Sequence, residues 1–158
     1  MKRPLVLGIG NLLMGDEGIG VAAIRHLEQT WVPSGADLLD GGTGGFHLLG
    51  LFRDHGHVIL IDAAADGKPP GTVSLIKPRF ATDFPPTLTA HDIGLKDLIE
   101  SAALLGDLPK VDLITVSIGE LSAMSLELSA PVKGALPGIE ALVRKCLEPS
   151  QIGAAASL

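Results

Sequence analysis

Along the chain, short near-continuous apolar runs alternate with stretches in which apolar residues recur every three or four positions. Leu5-Val6-Leu7-Gly8-Ile9 is such a run, and Val21, Ile24, Leu27 and Trp31 follow at helical spacing between Gly18 and Trp31. Strand, loop and helix are predicted in that order. Asp37-Leu38-Leu39-Asp40 predicts a second strand, followed by the glycine cluster Gly41-Gly42-Thr43-Gly44-Gly45 and a helix carrying Phe46, Leu48, Leu49 and Phe52. His57-Val58-Ile59-Leu60-Ile61-Asp62 is a third strand, apolar on successive positions as expected of a parallel strand covered on both faces. The turn cluster Asp66-Gly67-Lys68-Pro69-Pro70-Gly71 leads into Thr72-Val73-Ser74-Leu75-Ile76. That gap is too short for a helical crossover, so this strand is expected to run antiparallel at an edge. Residues 77–92, with Pro78, Pro85 and Pro86, read as irregular. Leu95, Leu98, Ile99, Ala102 and Leu105 mark an amphipathic helix. Val111 to Ile118 is a last strand, and Pro137 to Leu147 a closing helix with Ile139, Leu142, Val143 and Cys146 inward.

Strands alternating with helices predict an α/β fold, a three-layer α/β/α sandwich on a mostly parallel twisted sheet of about five strands with one antiparallel edge strand. The expected organisation is one domain over residues 1–148 and a frayed tail over 149–158. With 46% hydrophobic and 19% charged residues and a mean hydropathy of +0.40, the 158 residues exclude disorder for most of the length. The balance of 12 Lys+Arg against 18 Asp+Glu, net −6, with basic residues scattered singly, argues against nucleic acid as a partner. Aromatics at 3% without a Tyr argue against base-stacking platforms. The single Cys146 excludes an internal disulfide and a cysteine zinc cluster, so a reducing, cytoplasmic setting is expected. No apolar run approaches about 18 residues, so no membrane span is expected, and the first residues do not form a convincing export signal.

In a parallel sheet the loops leaving the carboxyl ends of the strands open on one edge, where ligands bind. Asp16 and Glu17 follow the first strand, Asp40 ends the second and Asp62 ends the third. One such acid reads as a cap or turn former; several at one edge suggest a site. The loop from Gly8 to Gly20 is not a dinucleotide-binding turn, because Leu13 stands where the third glycine is needed. Asp40 also comes 30 residues after Gly10, rather than about 20 after the motif. Cys146 on a core face and the absence of a G-x-S-x-G turn argue against a serine or cysteine protease. His26, His47, His55 and His57 are assigned to solvated helix faces or turns, with His47 near enough to the glycine cluster to line the cleft.

Taken together, Gly8-Ile9-Gly10-Asn11-Leu12-Leu13-Met14-Gly15-Asp16-Glu17-Gly18-Ile19-Gly20, Asp40-Gly41-Gly42-Thr43, Ile61-Asp62-Ala63 with Pro70-Gly71-Thr72, and His91-Asp92-Ile93-Gly94-Leu95 resemble the [NiFe]-hydrogenase maturation endopeptidases. The likeness runs from about residue 4 to residue 120 in the family's order and spacing. It implies an endopeptidase that removes a C-terminal extension from a hydrogenase large-subunit precursor once nickel has been inserted. It also implies that Glu17, Asp62 and His91 bind metal, since a Glu, an Asp and a His at these places do so in the family. One imidazole and two carboxylates suit borderline divalent ions. The ion expected is nickel carried by the precursor, or zinc, cadmium or manganese in the isolated protein. Hydrolysis then needs an activated water, supplied by the metal or assisted by Asp40 or Asp16. Ser117-Ile118-Gly119-Glu120-Leu121-Ser122 keeps a glycine and an acid but lacks the proline expected nearby in many relatives. The expected partner is the precursor, met by a monomer. Two competing readings are a non-catalytic chaperone that inspects the nickel site and a nucleotide-binding or other small-molecule-binding α/β domain.

Overall fold

The computed structural model describes residues 2–42, 47–79, 81–85, 88, 95–106, 108–119 and 126–148. Five strands form one sheet: β1 (Pro4–Gly8), β2 (Asp37–Asp40), β3 (His57–Ala64), β4 (Val73–Ile76) and β5 (Lys110–Ser117). Their order is β2-β1-β3-β5-β4. The first four in that order are parallel, and β4 closes the edge antiparallel to β5. This is the predicted architecture, and the short turn at 66–71 is what forces the antiparallel edge.

The longer helices are α1 (Ile19–Thr30), α2 (His47–Asp54), α3 (Leu95–Leu104) and α5 (Leu136–Leu147), with a four-residue α4 at Ala130–Lys133. Side chains alternate across each strand, and two cores result. Val6, Ile59, Ile61, Ile114 and Val116 meet Ile24 and Leu27 of α1 and Ile139 and Val143 of α5 on one face. Leu5, Leu7, Val58, Leu60 and Leu113 meet Leu48 and Phe52 of α2 and Ile99 and Ala102 of α3 on the other. The three layers follow from that division.

From β1 the chain passes through α1 to the neighbouring β2, then returns through α2 to β3 on the opposite side of β1. The connections diverge between β1 and β3, which is where a doubly wound sheet opens a crevice beyond its carboxyl ends. β3 runs two residues past the predicted Asp62, because Asp62, Ala63 and Ala64 keep register with Thr115, Val116 and Ser117. Among the described residues no helix is long and apolar enough to cross a membrane.

Candidate active site

The carboxyl edge is tied together by backbone. The Ile9 N–H donates to the Ile61 carbonyl at 2.9 Å, the Gly41 N–H to the Gly8 carbonyl at 2.8 Å, and the Gly10 N–H to the Gly42 carbonyl at 2.7 Å. The loop after β1 folds back through a turn in which Asn11 Oδ1 accepts the Leu13 N–H at 2.9 Å. It then forms a 3₁₀ turn, Gly15–Gly18, that runs directly into α1.

Two glycines make this folding possible. Gly10 has φ +154°, and a Cβ there would fall on the Glu17 carbonyl. A Cβ on Gly20 would fall on the carbonyls of Ile9 and Ile61. The glycines of the first loop therefore serve close approach of backbone to backbone. They bring the first turn of α1, and Glu17 just before it, onto the ends of β1 and β3.

Glu17 is 5% exposed and Asp62 is fully buried. Asp62 is the third residue from the end of β3, and its Oδ1 accepts the Ala63 N–H at 2.8 Å. The 3₁₀ turn carrying Glu17 packs on β3. The turn that bears Glu17 thus reaches the strand that carries Asp62, 45 residues further along the chain. His91 lies outside the described residues, as do residues 43–46 of the glycine cluster and the tail beyond 148. Among the described residues no three His, Cys, Asp or Glu side chains form a metal-holding group. Two carboxylate oxygens are a donor set to which an imidazole would add the nitrogen expected of a borderline divalent site.

Asp40 ends β2 beside Gly8. Its Oδ1 accepts the Gly42 N–H at 2.8 Å, and it lines an open cleft of about 310 Å³ with Gly10, Asn11, Leu12, Val21 and Gly42. A second opening, about 510 Å³, is lined by Ala65, Lys68, Pro69, Pro70, Ile118 and Gly119 beyond β3 and β5. A separate groove bordered by Pro4, Trp31, Pro33 and Leu147 lies at the amino-terminal end of β1, on the opposite edge from the acids. Asp16, expected as an assisting acid, spends its carboxylate on Ser129.

His55 and His57 depart from the solvated placement expected of them. His57 Nε2 lies 2.7 Å from Oδ2 of the buried Asp112. His55 is wedged between the Leu51 carbonyl at 2.8 Å and Asp37 Oδ2 at 3.2 Å. His26 lies 3.3 Å from Glu140. These pairings join residues remote in sequence, and no local pattern announces them. Cys146 does sit against the core that α5 covers, as its spacing predicted.

Sheet order and switch point define a doubly wound α/β protein with several acids at the carboxyl edge of its parallel strands. The family model described as hydrogenase maturation protease matches residues 21–145. The hydrogenase 2 maturation protease of Escherichia coli is 36% identical over 149 residues, covering 92% of this chain and 87% of that protein. The hydrogenase expression/formation protein HupD of Thiocapsa roseopersicina is 40% identical over 143 residues, 86% of this chain but 64% of that protein. Among solved structures, the hydrogenase maturating endopeptidase HybD from E. coli superposes with a TM-score of 0.77 at 34% identity, over 90% of this chain and 93% of that one. The solution structure of an endopeptidase from Escherichia coli gives a TM-score of 0.82 at 32% identity, over 92% and 91%. The chain belongs to the hydrogenase maturation protease family, and its chemistry is that of a hydrolase, an endopeptidase.

Proposed function

We propose that this protease removes the C-terminal extension of a [NiFe]-hydrogenase large-subunit precursor, and that nickel already seated in the precursor is captured by Glu17, Asp62 and His91. The observation that supports the reading is that both acids are buried, Asp62 on β3 and Glu17 in the 3₁₀ turn that packs on that strand. A protein ligand set of three leaves positions for ligands from the substrate. Nickel thereby docks the cleavage site and reports that insertion is complete.

Asp40 is an exposed carboxylate at the same edge of the sheet, at the end of β2 and in a cleft open to water. In the proposed hydrolysis it takes a proton from the attacking water as the new C–O bond forms at the scissile carbonyl. It returns that proton to the departing amine as the C–N bond breaks. The product is a shortened large subunit and a free peptide.

The experiment is to incubate nickel-loaded and nickel-free precursor with the protein and weigh the large subunit by mass spectrometry. Loss of the extension from the loaded precursor alone is expected. No loss from either form would favour a checkpoint that does not cut; equal loss from both would defeat gating by nickel. Glu17→Gln and Asp62→Asn should each lower processing by at least about a hundredfold. Full processing by either variant removes that residue from the site.

A further inference from the structure

Asp16 stands one residue from Glu17 but turns to a different partner. Its Oδ1 accepts the backbone N–H of Ser129 at 2.7 Å, and its Oδ2 accepts the Ser129 hydroxyl at 2.8 Å. Ser129 immediately precedes α4, a position from which a serine hydroxyl ordinarily caps its own helix. It makes no such cap. Both of its donors go to a carboxylate 113 residues away in sequence.

The far end of this link is itself held. Val132 of α4 is fully buried, and Pro131 packs so closely on Gly71 that a Cβ there would fall on the Pro131 carbonyl. The Gly71 N–H in turn donates to the Ser117 carbonyl at the end of β5, at 2.8 Å. A continuous path therefore runs from the sheet through Gly71 and α4 to Asp16, and so to the turn that bears Glu17.

We propose that Asp16 is a positioning residue, whose two-point clasp on Ser129 fixes the Gly15–Gly18 turn and holds the Glu17 carboxylate at the carboxyl edge of the sheet. Paired bonds to an ionised acceptor are short and directional, and two of them restrain rotation of the turn as well as its translation. Asp40 is left as the carboxylate that moves protons. The proposal rests on Glu17 acting as a ligand, as argued above, and concerns what keeps it in place.

The test compares Ser129→Ala, Ser129→Thr, Asp16→Asn, Asp16→Ala and the double variant Asp16→Ala/Ser129→Ala. Three quantities are measured: kcat and KM on nickel-loaded precursor, affinity of the purified protein for Ni²⁺ alone by isothermal titration, and Tm. Ser129→Ala and Asp16→Asn should each weaken processing and Ni²⁺ affinity by about tenfold, the scale on which groups supporting a ligand act. Ser129→Thr should restore both, and the double variant should be no worse than Asp16→Ala, because one interaction cannot be lost twice. Wild-type turnover and Ni²⁺ affinity in Ser129→Ala would overturn the proposal. So would an inactive Asp16→Asn beside a fully active Ser129→Ala, which would assign Asp16 a direct part in proton transfer. Glu17→Gln separates the two levels: normal processing by that variant sinks the ligand reading itself. Inactivity there, with wild-type behaviour in every Asp16 and Ser129 variant, sinks only the clasp.

Discussion

A thiol is the most nucleophilic side chain in this protein, and its surroundings silence it. Burial pushes the Cys146 thiol up to about 11, and the negative charge of Asp112 beside it acts in the same direction. The thiolate is the reactive form, so the folded protein should resist iodoacetamide at neutral pH and take up one label when unfolded in guanidinium, as read by intact mass. Rapid labelling of the native protein would contradict this placement. Asp37 responds to pH in the opposite sense. The His55 imidazole, and then the Arg3 guanidinium at 2.9 Å, hold its carboxyl below the usual carboxylate range. A depressed acid lends stability above its ordinary value, and that contribution disappears as the pH falls through the lowered one. Half-exposed partners limit it to about 0.5 kcal/mol. Urea midpoints should therefore separate the protein from Asp37→Asn slightly at neutral pH and converge as the pH falls through the lowered carboxylate range; a gap that widens on acidification would refute the assignment. Neither His55 nor His57 was legible as a paired residue in the sequence. Asp37 and Asp112 reach them only once β2 and β5 are laid into the sheet.

At the scale of the element, α1 shows how a loop becomes a site. Its apolar stripe of Ile19, Ala23, Ile24 and Leu27 is buried, which draws the helix onto the sheet, and Gly20 lets its first turn settle on the ends of β1 and β3. Gly20→Ala meets backbone carbonyls that a side-chain rotation cannot clear. We expect a loss of about 3 kcal/mol from overpacking, seen as a Tm lower by about 6–12 °C, together with impaired processing because Glu17 moves with the turn. An unchanged Tm would show that the helix does not sit as closely as the structure has it. The apolar runs of β1, β3 and β5 and the stripes of α1 and α5 were readable because burial imposes a period on the sequence. The turn at Gly15–Gly18 and the four residues of α4 were not, since neither is long enough to express one. The acids of the carboxyl edge were legible from topology: Asp16 and Glu17 follow β1, Asp40 ends β2, Asp62 lies two residues short of the end of β3, and parallel strands share an edge. What Asp16 touches was hidden, because Ser129 belongs to an element the pattern does not reveal.

For the whole molecule, stability and the site share the same strands. β3 lies at the centre of the sheet, with β1 and β5 on either side, and its residues from Val58 to Ala64 are all buried. β2 and β4 are edge strands of four residues, none of them buried. Opening free energy rises with burial and with pairing on both sides, so amide hydrogen exchange should be slowest in β3, next in β1 and β5, and fastest in β2 and β4. Asp62 rides on the slowest strand, and the Ile61 carbonyl that receives Ile9 adjoins it. Asp62 is thus fixed to the part of the fold that opens least, while the clefts at the carboxyl edge are bordered by loops and strand ends. Exchange in Glu17→Gln should leave β3 as protected as in the parent protein and alter only the turn and the start of α1. If β3 loses protection instead, Glu17 is part of the scaffold rather than of a site carried on it.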